Sequence, residues 1–298
     1  MKQNRLRYWL RLILFTLFTI GIGLALLIFV APAWHAADVM TYFPRQPVCC
    51  QTPTDFNLRY EDVAFPTTDG LTLRGWYIPG SNGATILFAH GGSGNRRTGG
   101  QLEQAAALAE KGFGLLLYDL RAHGDSDGTQ TSLTGADVRA ALNYLRSRPD
   151  VHPDRIGAIG VSLGAVNIVQ AAAADGGLKA IILDGLGQSG AADFPPSTPA
   201  QLTTEVQHFV MFTILRARGV VDAPVIDVLS KLPPYPKLFI AGIGQDLERE
   251  GVRRYFAATG EPKSLWEIPE GWHGYTWAAR PQEYTQRITE FFTQSLLK

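Results

Sequence analysis

The residues best suited to chemistry in this chain lie in the five-residue motif Gly160-Val161-Ser162-Leu163-Gly164. Residues 156–161 before it form an apolar run typical of a short buried strand, and residues 163–171 after it are typical of a helix. A sharp turn from strand to helix strains the serine backbone, and glycines two residues away avoid collision with the crossing elements. The pattern therefore predicts that Ser162 is a nucleophile at the strand end.

A second motif with the same glycine and serine spacing is Gly124-Asp125-Ser126-Asp127-Gly128. No helix begins directly after it, since Thr129-Gln130-Thr131-Ser132 follows. Ser126 therefore lacks the strand and helix that would expose its hydroxyl, and we favour Ser162.

A serine hydroxyl needs a base to take its proton, and that base needs an acid to orient it. Two histidines follow Ser162 in the sequence. His208 lies in a helix candidate, where a surface or packing role is expected. His273 lies in a glycine-flanked loop between the last strand and the last helix, and we predict that it is the general base.

Two aspartates are candidates for the acid. Asp246 comes just after a predicted strand, 237–241, and Asp184 comes just after the preceding strand, 178–183. Asp246 is favoured because it follows the strand nearest the histidine loop. The other interpretation of Asp184 is a hydrogen-bonded structural carboxylate.

The segment His90-Gly91-Gly92-Ser93-Gly94 also follows a predicted strand. We expect the Gly92 amide and the Leu163 amide, at the start of a helix, to form an oxyanion hole, with His90 bracing the loop. A phosphate-binding loop is disfavoured because the glycine spacing does not fit and no Gly-Lys-Ser/Thr follows. No cluster has metal-ligand spacing, so neither a metal nor another cofactor is expected.

Composition limits the class of protein. The chain has 298 residues, 46% of them hydrophobic, with 27 basic and 27 acidic side chains. That is enough apolar material for one large globular domain. A balanced charge without a basic stripe argues against a nucleic-acid partner.

The N-terminal segment indicates a membrane. An uncharged apolar stretch at 12–31 follows four basic residues, which are Lys2, Arg5, Arg7 and Arg11. Twenty helical residues reach about 30 Å, enough to cross the hydrocarbon core. We interpret residues 1–35 as an uncleaved signal anchor; a cleaved signal peptide ending near Ala31-Pro32-Ala33 and a buried core helix are the alternatives. The positive charges predict a cytoplasmic N-terminus and a single-pass chain whose globular domain lies on the non-cytoplasmic side.

Residues 36–57 carry Pro44, Pro47 and Pro53 among polar residues, and we expect a linker that holds the domain away from the membrane. The two cysteines of the chain, Cys49 and Cys50, are adjacent there and cannot form a disulfide framework. Two free thiols are expected. A strained vicinal bridge or a link to another chain are the alternatives, as is palmitoylation if the topology is inverted.

The globular domain is expected at 58–298 and begins with a hairpin around Thr68-Asp69-Gly70. Strands and helices then alternate, which predicts a mostly parallel sheet with helices on both faces. A long segment at about 185–234, with a helix candidate at 200–218, is interpreted as a cap. Within it, Phe209-Val210-Met211-Phe212 could line an acyl pocket, although packing onto the domain is favoured.

Several segments of the globular domain together match a known family. They are Glu61-Asp62-Val63-Ala64-Phe65-Pro66, Asp69-Gly70, Gly75-Trp76-Tyr77, His90-Gly91-Gly92, Asp119-Leu120-Arg121-Ala122-His123-Gly124-Asp125-Ser126, the Ser162 motif and His273. With these segments the chain resembles, from about residue 58 to 298, the α/β-hydrolase superfamily, and within it the membrane-anchored alpha/beta-hydrolase-domain and serine aminopeptidase-like group. The resemblance implies an α/β-hydrolase fold, a Ser162, His273 and Asp246 triad, and an acyl-enzyme mechanism, with the Ser126 segment structural.

The expected activity is hydrolysis of carboxylic esters, with a small-molecule or lipid acyl ester as substrate and the membrane as partner. A peptidase or a protein thioesterase would use the same site. An inactive binding scaffold and a cofactor-free perhydrolase or haloperoxidase are the remaining alternatives.

Overall fold

The fold is built on one eight-stranded sheet, seen in a computed structural model that describes residues 2–195, 201–244 and 246–298. The strand order is β1-β2-β4-β3-β5-β6-β7-β8, and β2 is antiparallel to both of its neighbours while all other pairs are parallel. The strands are β1 Glu61–Pro66, β2 Thr72–Ile78, β3 Thr85–Ala89, β4 Gly114–Tyr118, β5 Ile156–Val161, β6 Ala180–Asp184, β7 Lys237–Gly242 and β8 Lys263–Ile268.

Helices cover both faces of this sheet. Along β3, Leu87 and Ala89 belong to one apolar cluster and Ile86 and Phe88 to another, as alternating side chains require. The helices are α1 Lys2–Ala25, α2 Ala31–Thr41, α3 Gln101–Glu110, α4 Ala136–Ser147, α5 Leu163–Ala174, α6 Leu202–Ala217, α7 Val225–Leu229, α8 Asp246–Ala258, α9 Thr276–Ala279 and α10 Pro281–Leu296. Helices α4, α5, α7 and α8 contribute to the first cluster, and α3 and α10 to the second. The expected mostly parallel sheet with helices on both faces is therefore confirmed.

The interiors of the central strands are apolar because both of their faces are covered, and the polar residues Thr85 and Asp184 stand at strand ends. Every residue of β3, β4 and β6 is buried. Polar side chains can therefore be presented only where these strands end. Ser162 follows β5, in the middle of the sheet, so the candidate site lies at the carboxyl edge.

The N-terminal helix is continuous from α1 through a π-helical turn, Leu26–Val30, into α2. The part from Arg7 to Thr41 is long and apolar enough to cross a membrane. Its large apolar side chains between Tyr8 and Ile28 are exposed, as a lipid-facing helix requires.

The far end of this helix packs against the globular domain through α6. Ala33 and Ala37 are buried in the contact. The Gln207 side-chain amide donates to the Ile28 carbonyl at 2.8 Å, and the Arg218 guanidinium contacts the Asp38 carboxylate at 2.7 Å. The two helices therefore run side by side in the same direction.

The segment predicted as a linker, 36–57, begins inside α2, which ends at Thr41, and the residues after the helix follow the domain surface instead of forming a free spacer. The Thr131 amide donates to the Thr41 carbonyl at 2.9 Å. Arg45 donates to the carbonyls of Gly124 and Ser126 at 2.7 and 2.6 Å. Prolines and polar residues predicted the loss of regular structure, but they gave no sign of partners about 80 residues away.

The interface between α2 and α6 predicts a stability effect. Ala37→Leu adds three carbon atoms at a buried position, and overpacking of this kind costs about 1–3 kcal/mol. We expect the melting temperature of the full chain in detergent to fall by roughly 2–10 °C. Val39→Leu is the matched control, because Val39 lies on the same helix and is 52% exposed. It should leave the melting temperature unchanged. Equal melting temperatures for the two variants would contradict this account of the interface.

Candidate active site

The turn that carries Ser162 is strained. Ser162 has φ 51° and ψ −111°. Residues other than glycine rarely adopt a positive φ. The turn is tight enough to exclude side chains nearby, since a Cβ on Gly160 would lie 2.6 Å from the Ala165 nitrogen and one on Gly164 would lie 2.0 Å from the Ala89 oxygen. These approaches give the physical reason for both glycines of the motif.

His273 lies directly against this serine. Its Nε2 atom is 2.9 Å from the Ser162 Oγ atom, although the two residues are 111 positions apart. The loop that carries His273 crosses the end of β7 so closely that a Cβ on Gly242 would lie 2.4 Å from the Gly271 carbonyl carbon. The Gly244 amide donates to the Gly271 carbonyl at 3.1 Å, which fixes the loop there.

The carboxylate beside His273 belongs to Glu248. Its Oε2 atom lies 3.3 Å from His273 Nδ1, and its Oε1 atom accepts from the Gly242 amide at 3.2 Å. The neighbouring Glu248 carboxylate is the largest cause of a raised pKa of His273, and partial burial of the ring opposes it. The charges of Glu248 and Asp184 raise the pKa further.

The structure does not bring Asp246, the acid predicted from the sequence, to the histidine. Its side chain is 89% exposed and pairs with Arg249 one turn along the same helix. Successive helical residues are rotated by about 100°, so Asp246 and Glu248 point in nearly opposite directions.

A sequence signal for Glu248 existed in the periodicity of α8. Glu248 lies three, four and seven residues before Gly251, Val252 and Tyr255, which are the buried residues of that helix. This spacing places Glu248 on the face that packs against the domain. Asp246 shares its face with Arg249 and Arg253 instead.

Asp184, the alternative acid, is buried beneath the loop. Its Oδ2 atom accepts from the Tyr284 hydroxyl at 2.8 Å and from the Thr276 hydroxyl. Burial raises the pKa of Asp184 to about 6, although both of these hydrogen bonds lower it. The geometry matches a structural carboxylate that ties the residues after His273 to the sheet.

The two residues with the candidate oxyanion donors border the same cavity as the serine. Leu163 is the first residue of α5, and Gly92 lines the same cavity as Ser162. The loop that holds Gly92 is braced by two histidines. His90 Nε2 accepts from the Leu120 amide at 3.0 Å, and His123 Nε2 lies 2.6 Å from the Gly92 carbonyl oxygen. Burial lowers the pKa of His90 to about 3, so its ring is neutral.

The second serine motif has no such setting. Ser126 is 1% exposed. Its hydroxyl donates to the Asp119 carbonyl at 2.6 Å and accepts from the Arg74 amide at 2.9 Å. These bonds give Ser126 a role in joining the loop to β2.

A cavity of about 200 Å³ opens over Ser162 and His273. From the long segment between β6 and β7, Gly187 and Gln188 contribute to its lining. The four apolar residues 209–212 do not contribute, since Phe209 is 65% exposed and Met211 and Phe212 are packed in the core. Residues 196–200, which include the first residue of the helix predicted at 200–218, lie outside the described residues. The observed helix α6 begins at Leu202.

His208, the other histidine after Ser162, lies on α6 away from this cavity. Its ring stacks on Phe194 at 3.7 Å between centroids, and burial lowers its pKa. The packing role expected for it agrees with this contact.

Comparisons with known proteins agree with this architecture. Residues 86–297 match the model of the alpha/beta hydrolase family. The uncharacterized protein YfhR of Escherichia coli K12 is 28% identical, with 95% of each chain covered. The alpha/beta hydrolase domain-containing protein WAV2 of Arabidopsis thaliana is 28% identical, with 80% of each chain covered. A solved structure of the Pyrococcus furiosus esterase Pf2001 superposes with a TM-score of 0.68 and 25% identity, covering 86% of this chain and 98% of that one.

Proposed function

The chain belongs to the alpha/beta hydrolase family, and from this membership and the geometry of its site we propose that it is a membrane-anchored serine hydrolase that cleaves carboxylic esters. The observation that carries the proposal is the contact of 2.9 Å between Ser162 Oγ and His273 Nε2 at a strained turn. A serine and a histidine at this distance form the nucleophile and base of acyl transfer.

In the proposed reaction, Ser162 Oγ attacks the ester carbonyl while His273 Nε2 accepts its proton. Glu248 stabilises the imidazolium through Nδ1 and takes the place of Asp246 in the triad expected from the sequence. The amides of Gly92 and Leu163 stabilise the oxyanion. His273 then protonates the leaving alkoxide, and the acyl group remains on Ser162.

Hydrolysis of the acyl-enzyme completes the cycle. A water molecule gives its proton to His273 and attacks the acyl carbonyl, and the proton returns to Ser162 as the carboxylic acid leaves. The substrate class is a carboxylic ester because an esterase is among the structural neighbours and the site needs no further group for this chemistry. Rates on matched ester, thioester and aminoacyl amide substrates separate this proposal from a thioesterase or peptidase.

The membrane part of the proposal rests on the N-terminal helix. Its apolar residues are exposed, and its basic residues precede the apolar stretch. From Ala31 the helix continues for nine residues to Met40, which lines the cavity, a rise of about 14 Å. We place the catalytic domain close to the non-cytoplasmic surface of the membrane.

The first prediction concerns the nucleophile. A fluorophosphonate should form an adduct on Ser162 that peptide mass spectrometry locates. Ser162→Ala should abolish both labelling and ester turnover while the melting temperature stays within a few degrees, because a small polar atom is lost from a partly exposed turn. Ser126→Ala is the control variant, and its Ser162 should still be labelled. Retained turnover in Ser162→Ala would exclude the proposed mechanism.

The second prediction concerns the acid. The neutral form of His273 is the active base, and Glu248 raises the pKa of its imidazolium. Glu248→Gln should therefore shift the acidic limb of the kcat/KM profile to lower pH, because the ring now loses its proton more easily. The maximal kcat should fall on the order of 10²- to 10⁴-fold, as the ring loses its orienting carboxylate.

Asp246→Asn is the matched control for this experiment. It should leave both the acidic limb of the kcat/KM profile and the maximal kcat unchanged. If Asp246→Asn moves the limb and Glu248→Gln does not, then the acid is Asp246 and the role proposed for Glu248 is wrong.

The third prediction concerns topology and uses the natural cysteines. Cys49 and Cys50 are exposed and follow the N-terminal helix, so a membrane-impermeant maleimide should label them in intact cells. The neighbouring Cys49 thiol raises the pKa of Cys50, so labelling is best done near pH ~8, where more thiolate is present. A Cys49→Ala, Cys50→Ala variant gives the background. Labelling that requires permeabilised cells would place the domain in the cytoplasm.

A further inference from the structure

Two residues from the segment that leads out of the N-terminal helix line the candidate active site. Met40, near the end of α2, and Phe43, two residues beyond it, border the cavity over Ser162. Both precede the region that matches the hydrolase family, which begins at residue 86. The anchoring segment therefore contributes directly to the site.

The backbone segment that carries these two side chains is held in place by the domain. The Thr131 hydroxyl donates to the Met40 carbonyl at 2.8 Å, next to the bond from the Thr131 amide to Thr41. After Phe43, Arg45 is fixed by three carbonyl oxygens of the loop at 123–126. The segment that carries Met40 and Phe43 is thus hydrogen-bonded to the domain both before and after Phe43.

Phe43 also occupies the space beside the oxyanion loop. A Cβ on Gly92 would lie 2.6 Å from the Phe43 Cζ atom, so the ring packs where any side chain at Gly92 would be. The ring is also 5.8 Å from that of His123, which binds the Gly92 carbonyl. Phe43 therefore packs against the loop that carries Gly92, the candidate oxyanion donor.

This placement distinguishes the two halves of an ester. The leaving alcohol must lie on the side of His273, because Nε2 gives it a proton. The acyl group then takes the remaining space of the cavity, which is lined by the apolar side chains of Leu133, Leu163 and Val166 in addition to Met40 and Phe43. Met40 and Phe43 therefore border the space left for the acyl group.

The size of the cavity indicates the length of the acyl group. About 200 Å³ is below the roughly 300–1,000 Å³ typical of pockets that enclose a drug-sized ligand. We propose that Met40 and Phe43 are specificity-determining residues that close the acyl pocket and restrict the enzyme to short acyl groups. This inference rests on the proposed ester hydrolysis.

The test uses the full chain in detergent and p-nitrophenyl esters from acetate to octanoate, below their micellar concentrations. The wild type should prefer acetate and butyrate. Phe43→Ala and Met40→Ala should each raise the ratio of kcat/KM for octanoate to that for butyrate about tenfold or more, because each accommodated methylene is worth about 10-fold or more. Phe43→Leu should lie between, and it keeps apolar packing on Gly92 if Phe43→Ala proves unstable.

Val39→Ala is the matched control, since Val39 adjoins Met40 on the same helix and its side chain is 52% exposed. It should leave the ratio unchanged. A second series, acetate esters of alcohols from ethanol to octanol, should respond to none of these substitutions. A wild-type preference for octanoate, or a change in the alcohol series instead of the acyl series, would overturn the assignment.

Labelling by a small fluorophosphonate separates the two proposals. If Ser162 labels and butyrate is hydrolysed while the acyl ratio stays constant in all variants, the inference about Met40 and Phe43 is wrong and the proposed hydrolase stands. If Ser162 is not labelled and the folded protein hydrolyses no ester, the proposed function fails, and the inference fails with it.

Discussion

The strained turn at Ser162 is the constraint on which the rest of the site depends. A positive φ at a residue with a Cβ is unfavourable, and the surrounding structure must hold it there. The Ser162 amide is tied to the Asp184 carbonyl at 2.8 Å, and α5 begins at once after the turn. The glycines at 160 and 164 permit the close contacts that this geometry needs.

Because the turn follows the central strand β5, the other groups must come from the strands beside it. The ends of β6 and β7 supply Asp184 and the loop before Glu248, and the loop after β8 supplies His273. The parallel arrangement brings these ends to one edge of the sheet. Asp184 contributes from below, since it holds Thr276 and Tyr284 and so positions the backbone that follows the histidine.

The N-terminal helix is joined to the domain by more than a flexible tether. Ala33 and Ala37 bring α2 close to α6, and Arg218 binds Asp38 while its guanidinium lies over the ring of Trp34 at 4.9 Å. Arg45 continues the attachment beyond the helix. A helix fixed in this way gives the edge of the sheet that carries the candidate site a defined orientation relative to the segment that would enter a membrane.

The sequence by itself determined the features that depend on local order. The motif around Ser162, the alternation of strands and helices, the apolar N-terminal helix and the loop position of His273 all follow from residue types at short spacing. The sheet they predict is confirmed. The separation of Ser126 from Ser162 was also available from the sequence, because a helix follows only one of them.

Only the tertiary structure decided which acid faces His273 and what the segment at 36–57 does. Asp246 and Glu248 are two residues apart, and the choice between them depends on the rotation of α8 against the sheet. Met40, Phe43 and Arg45 bind partners about 50 to 120 residues away, which no local pattern specifies. Such contacts are decided by how distant segments pack, and periodicity along the chain carries no record of that packing.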